Sequence, residues 1–191
     1  MKVFVTVNNY PSSSESTSKG WYLLADSAVT NTGKPFYLPE ELGPVSVSVC
    51  MVWKLSKLGK SISSKFAHRY FSEWAPALHF KLPDYEKRLL EEGLPADASR
   101  SFDRSIFIGD FTPVAENVHL ELFLNGEKIS EFEKDKLLSP VEDIISGISR
   151  MNTIKIGDLL VPGLSGNEIV HIGDKLELNM NGVPAFYVKV K

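Results

Sequence analysis

One cysteine and four histidines are the side chains of this 191-residue sequence best suited to nucleophilic or soft-metal chemistry. The lone Cys50 excludes an intrachain disulfide, and with it a zinc site built on several thiolates. Cys50 lies in the segment Val45 to Lys54, whose odd positions are Val45, Val47, Val49, Met51 and Trp53. Its even positions include Ser46, Ser48 and Cys50. Period-two alternation predicts a strand with the odd set on the core and the small polar set, Cys50 among it, on the other face. His68 falls in a short predicted helix over Ser63 to Phe71, where Phe66, Ala67, Tyr70 and Phe71 are spaced for one buried face, and it reads as structural. His119 and His171 follow strand and turn patterns, and neither receives a role.

Two further helices are predicted. Asp84 is placed to cap Tyr85 to Glu92, with Gly93 and Pro95 stopping it. Ser139-Pro140-Val141-Glu142 reads as a capping box with Pro at the first helical position, followed by Val141, Ile144, Ile145 and Ile148 at three- and four-residue steps. The remainder is β. Lys2 to Val7 alternates, Trp21 to Leu24 is a short apolar run, and Ile156 to Val161 reads as a buried strand. Asn117 to Leu124 and Glu127 to Glu131 flank Asn125-Gly126, while Asp174 to Met180 and Ala185 to Val190 flank Asn181-Gly182; Asn-Gly suits the type I′ turn of a hairpin. A polar run from Pro11 to Ser18 is expected as an exposed loop. The class is α+β, one domain over residues 1–191, with 1–44 as an entry segment and 45–191 as the core.

Composition excludes several function classes. Lys and Arg total 21 against 24 Asp and Glu, a net charge of −3, which fits neither a nucleic-acid-coating protein nor an acidic tail. No apolar run approaches the ~20 residues of a membrane helix, so neither nucleic acid nor membrane is an expected partner and the cytoplasm is the expected compartment.

Several blocks, in order, carry a family resemblance. They are Tyr22 to Pro39, Lys57 to Tyr70, Gly93 to Asp103, Asn125-Gly126, Ile144 to Ser149, Ile156 to Gly163 and His171 to Asp174. Together they resemble the fumarylacetoacetate hydrolase family over nearly the whole chain. The resemblance implies a mixed β-roll of the family's C-terminal-domain type, commonly dimeric. In active members the mouth of the roll holds Mg²⁺ or Mn²⁺ on three carboxylates, a Glu-x-Glu on one strand and a later Asp. Residues i and i+2 of a strand share a face, so two carboxylates can grip one hard cation and leave positions for substrate. The ion then polarises an oxo- or diketo-acid during C–C hydrolysis, decarboxylation, hydration or isomerisation.

Mapped on these blocks, the Glu positions fall on Ser48 and Cys50 and the Asp position on His79. The stretch that follows, Thr/Ser-Ala-Arg-Asp in the family, is Lys81-Leu82-Pro83-Asp84. A family Lys is Arg100, ahead of Asp103, and the Thr-Gly-Thr-Pro loop is Pro162-Gly163-Leu164-Ser165. Asn9-Tyr10 keep the start of a lid pattern whose His and Glu fall on Ser13 and Ser16, beside Glu15. Ser48, Cys50, His79, Arg100, Asp103 and Leu164 are therefore the pocket positions. A hydroxyl, a thiol and an imidazole suit a hard cation poorly, so no Mg²⁺ or Mn²⁺ is expected. One expectation is a non-catalytic family member that binds a small anionic ligand or serves assembly as a homodimer, with Arg100 and Asp103 orienting the ligand. Another is an enzyme with altered chemistry, Cys50 and His79 forming a thiolate–imidazolium pair or half of a soft-metal site. A third, retained metal-dependent oxo-acid chemistry, ranks below both.

Overall fold

The computed structural model describes residues 1–11, 18–114 and 117–191, and its two longest strands lie side by side at the centre. The strands are β1 (Val3–Val7), β2 (Gly20–Leu24), β3 (Val29–Asn31), β4 (Val45–Leu55), β5 (Phe71–Lys81), β6 (Ile106–Ile108) and β7 (Thr112–Pro113). They continue with β8 (His119–Leu124), β9 (Glu127–Glu133), β10 (Leu159–Val161), β11 (Leu164–Val170), β12 (Lys175–Met180) and β13 (Val183–Lys189). The α-helices are α1 (Ser64–Ala67), α2 (Pro83–Glu91) and α3 (Val141–Met151).

One sheet runs in the order β2-β1-β10-β4-β5-β6-β3, with β11 also paired to β4 and β7 to β5. β1 is parallel to β10 and β3 to β6, whereas the other pairs of this sheet are antiparallel, so the roll is mixed. The second sheet, β13-β12-β8-β9, is antiparallel throughout. Both of its Asn-Gly turns form, with φ of +53° and +91° at Asn125 and Gly126 and +50° and +78° at Asn181 and Gly182. Those positive values are what a type I′ hairpin turn requires.

β4 carries the expected alternation, but both of its faces are buried. Val45, Val47, Val49, Met51 and Trp53 enter the main core with Leu78, Phe80 and Phe107. Cys50 and Val52 enter a second core with Tyr22, Ala75, Ala77, Ile106 and Leu159, and Ser46 and Ser48 are fully buried on the same side. β5 was not foreseen, because Ala75, Pro76 and Ala77 blur its periodicity. Pro76 is tolerated because its carbonyl accepts from Gly109 N at 2.9 Å, on the side away from β4. The missing N–H points the same way, so no bond to β4 is lost.

Local expectations shift in four places; in α2, Leu82 and not Asp84 is the cap, Pro83 takes the first helical position and Asp84 lies inside the first turn. The helix predicted over Ser63 to Phe71 ends at Ala67, passes through a 3₁₀ turn at His68–Tyr70 and enters β5 at Phe71, leaving Phe66 exposed. Pro140, not Ser139, caps α3, its carbonyl accepting from Asp143 N and Ile144 N, while Ser139 Oγ accepts from Lys19 Nζ at 2.6 Å. The strand expected over Ile156 to Val161 is confined to Leu159–Val161. The residue that ends the preceding turn is Asp158, 1% exposed. Its carboxylate accepts from Lys2 N at 2.9 Å, Lys155 N at 2.8 Å and Lys2 Nζ at 2.6 Å, tying the first strand to the turn. Asp158→Ala is expected to lower unfolding free energy by about 3 kcal/mol, seen as a lower urea midpoint at unchanged slope, because two backbone N–H groups lose their acceptor. Asp158→Asn should lose less.

The loop expected at Pro11 to Ser18 falls mainly on 12–17, with Ser13, Glu15 and Ser16, outside the described residues. Asn9 and Tyr10 are buried and structural. Asn9 Nδ2 donates to Pro162 O and Ser139 O, and Tyr10 stacks on Phe132 and accepts from Glu133 N.

Candidate active site

Antiparallel pairing places Ser46 opposite Lys81, Ser48 opposite His79 and Cys50 opposite Ala77, all on one face of β4 and β5. Sequence reasoning thus names side chains that do share a face. What it misses is how they are used. His79 is fully buried, and its Nδ1 lies 2.9 Å from Ser105 O. A carbonyl can only accept, so Nδ1 carries the proton and Nε2 of the neutral ring accepts from Tyr22 O–H at 2.8 Å. Burial holds the imidazole's pKa at about 3 and pushes the Tyr22 hydroxyl well above its usual range. Ser48 Oγ donates to Gly166 O at 2.7 Å. Gly166 has φ of +76°, and a Cβ there would come within 2.5 Å of Ser130 Oγ, so the close approach of β11 requires glycine.

Cys50 makes no pair with His79. Its thiol turns to Ala77 O at 3.7 Å, both nitrogens of His79 are already bonded, and burial pushes the thiol well above its ordinary pKa. Neither a thiolate nor an imidazolium is stable there. Leu164 sits opposite Cys50 across β11. Arg100 forms an ion pair with Glu86 and lies 4.8 Å over the Tyr22 ring, and Asp103 is exposed. These two do not converge on a ligand.

The same face opens at its Lys81 end. A cavity of about 610 Å³ is lined by Ser46, Lys81, Pro83, Glu86, Lys87, Leu90, Glu91 and Asn167. Ser46 Oγ donates to Asn167 Oδ1 at 2.8 Å, so β4 and β11 together present a hydroxyl and an amide. Lys81 is half-buried, and burial lowers its pKa, opposed by Glu86 and reinforced by Arg100. In the sequence Lys81 stands only as a departure from a family motif, Tyr22 only as the start of a family-like block, and Ser105 and Asn167 gave no signal.

A second polar cluster lies on the other sheet. His119 pairs with Glu133 and Glu121 with Glu131 across β8 and β9, which sets His119, Glu131 and Glu133 on one face. One ligand atom from each of these three lies within 4.8 Å of the others. Lys128 and Lys136 hold the carboxylate of Glu131 well below its usual range, at about 2.

The fumarylacetoacetate hydrolase C-terminal model matches residues 3–191. The chain belongs to the fumarylacetoacetate hydrolase family. Among family relatives, the mitochondrial oxaloacetate tautomerase of Mus musculus is 26% identical over 176 residues, covering 89% of this chain and 80% of that protein. A fumarylpyruvate hydrolase from Ralstonia sp. is 22% identical over 168 residues, covering 85% of this chain and 88% of that protein. The fumarylpyruvate hydrolase of Pseudomonas aeruginosa, solved with Mn²⁺ and pyruvate, superposes with a TM-score of 0.88 over 100% of this chain and 89% of its own, at 22% identity. The family's mixed roll is the fold described above.

The expectation that no divalent metal belongs with this chain is corrected. A family structure of the same fold holds Mn²⁺, and this chain itself gathers an imidazole and two carboxylates at His119, Glu131 and Glu133. The expectation rested on Ser48, Cys50 and His79 alone, and it said nothing of carboxylates on another sheet. Those three positions do not fit a hard cation, since each polar atom is buried and spent on a protein partner. His119, Glu131 and Glu133 fit one by donor type, with Lys128 and Lys136 as the cations it would displace. Among the described residues no helix is long and apolar enough to cross a membrane.

Proposed function

We propose that this chain acts on small 2-oxo or diketo acids in the cavity headed by Lys81, with keto–enol proton transfer as its reaction. The observation that carries the reading is the placement of a half-buried lysine, a hydroxyl and an amide around one cavity, on the face to which the resemblance maps the pocket positions Ser48, Cys50 and His79. Its relatives' names, oxaloacetate tautomerase and fumarylpyruvate hydrolase, support the substrate class. Lys87 lines the mouth and attracts a carboxylate, while Lys81 faces the oxo group. Positive charge there stabilises the enolate that forms when a proton leaves the neighbouring carbon. Glu91 lines the same wall as a proton acceptor, and the Ser46–Asn167 pair orients the oxo oxygen. A divalent ion held by His119, Glu131 and Glu133 would supply Lewis acidity at the separate cavity lined by His119 and Glu133.

The test follows oxaloacetate enol decay and acylpyruvate cleavage, each with and without Mn²⁺. Turnover of at least one substrate is expected, with kcat/KM about a hundredfold lower in Lys81→Met, the usual scale for losing a group that acts on proton transfer. No turnover of either substrate under both conditions overturns the reading. A second reading, ligand binding without catalysis, is favoured by the closed Tyr22–His79–Ser105 chain in place of a metal centre. Saturable pyruvate binding without turnover would decide for it.

A further inference from the structure

We infer that the Lys81 amine is a covalent nucleophile that captures the C2 carbonyl of a 2-oxo acid as an imine. The inference rests on the reading that the cavity takes such acids, and it deepens that reading by making the stabilising cation part of the substrate adduct.

Three observations lead to it. First, Lys81 is half-buried, yet among the described residues neither an ion pair nor a hydrogen bond holds its amine. An amine withdrawn from water without a partner favours its neutral form, which is the nucleophilic one, and burial accordingly lowers its pKa. Second, Glu86 acts on the amine only through space, opposing the effect of burial, because its carboxylate is held in an ion pair by Arg100 and forms no salt bridge with Lys81. Third, Lys81 lines open volume. Its strand partner Ser46 lines the same cavity with its hydroxyl donated to Asn167 Oδ1 at 2.8 Å, so the Asn167 amide N–H is the group there able to donate to the electrophile's oxygen. Exposed lysines such as Lys87, 3.9 Å from Glu91, have water and a counter-charge.

The step balances without a co-reactant. Nζ attacks C2, a C–N bond forms, and the carbonyl oxygen leaves as water whose two hydrogens come from the amine. Protonation gives an iminium, a stronger electron sink than the parent carbonyl. Loss of a C3 proton to a wall carboxylate then gives the enamine, and return of the proton followed by water releases the keto acid and regenerates Lys81.

The experiment traps the imine. Purified protein is incubated with pyruvate and sodium cyanoborohydride, then digested and mapped by mass spectrometry. A reduced pyruvate adduct is expected on Lys81, far above any other lysine, absent without reductant and suppressed by oxaloacetate. In Lys81→Arg, with folding checked by circular dichroism, the site-specific adduct should vanish; mapping of the native chain stands even where that variant fails to fold. If the native chain turns over oxaloacetate yet carries no preferential adduct on Lys81, the covalent role is overturned while the oxo-acid reading stands. Absence of both turnover and adduct overturns both.

Discussion

From about pH 6.5 down to about pH 5 the protein is expected to lose stability at a slope approaching about 1.4 kcal/mol per pH unit, because His79 must stay neutral to remain in the fold. Unfolded, an imidazole takes up its proton near pH 6.5; folded, burial defers that to about pH 3. Between those values the unfolded chain binds the extra proton, so stability rises with pH and falls as acid is added. The contribution is fully present above pH 6.5 and lost progressively toward pH 3. Geometry gives the same sign. A proton on Nε2 would confront Tyr22 O–H, which must then turn its own hydrogen away inside a buried pocket. Surface carboxylates such as Glu131, lowered from 4.5 to about 2 by Lys128, His119 and Lys136, lose their share in a more acidic window. Urea unfolding at half-unit pH steps measures the effect. His79→Gln, which cannot titrate, should be less stable at neutral pH yet show a flattened slope above pH 5; an unchanged slope would place the proton uptake elsewhere.

That buried chain also shows what the sequence could and could not disclose. Both hairpins were legible because Asn-Gly turns are local, and β4 because its alternation runs unbroken. β5 was hidden by Pro76 between two alanines, tolerable only because that strand edge faces Gly109 rather than β4. The cap of α3 moved one residue when Lys19, 120 positions away, claimed Ser139 Oγ. Mapping placed Ser48, Cys50 and His79 together, as the register does. The partners that silence them, Tyr22, Ser105 and Gly166, are 57, 26 and 118 residues distant from the groups they bond, and no spacing rule reaches that far. Lys81 entered only as a departure from a family motif, yet with His79 closed off it is the group of that face that lines a cavity beside Ser46.

Phe80→Ala is expected to cost about 3–5 kcal/mol and to be the most destabilising single change on β5. Phe80 is fully buried, stacked on Phe36 with ring centroids 4.0 Å apart and 10° between planes, and edge-on to Phe107 at 5.6 Å. Removing the ring empties a site that three elements share. Phe36 N donates to Lys189 O and Phe36 O accepts from Lys191 N, bridging it to Val190, so its collapse into the space would pull the C-terminal edge with it. Relaxation is therefore limited and most of the cavity persists, which sets the cost at the upper part of the range. Phe80→Leu keeps much of the volume and should lose less than half as much. The consequence for the site is directional. Phe80 faces the main core, whereas His79 and Lys81 on either side face the second one. A variant that stays folded should lower turnover of an oxo acid through kcat more than KM, because the amine loses its fixed position while the cavity's polar lining on β4 and β11 remains. Equal loss of stability in Phe80→Ala and Phe80→Leu, by chemical denaturation, would mean that the volume leucine retains contributes nothing and would overturn the cavity argument.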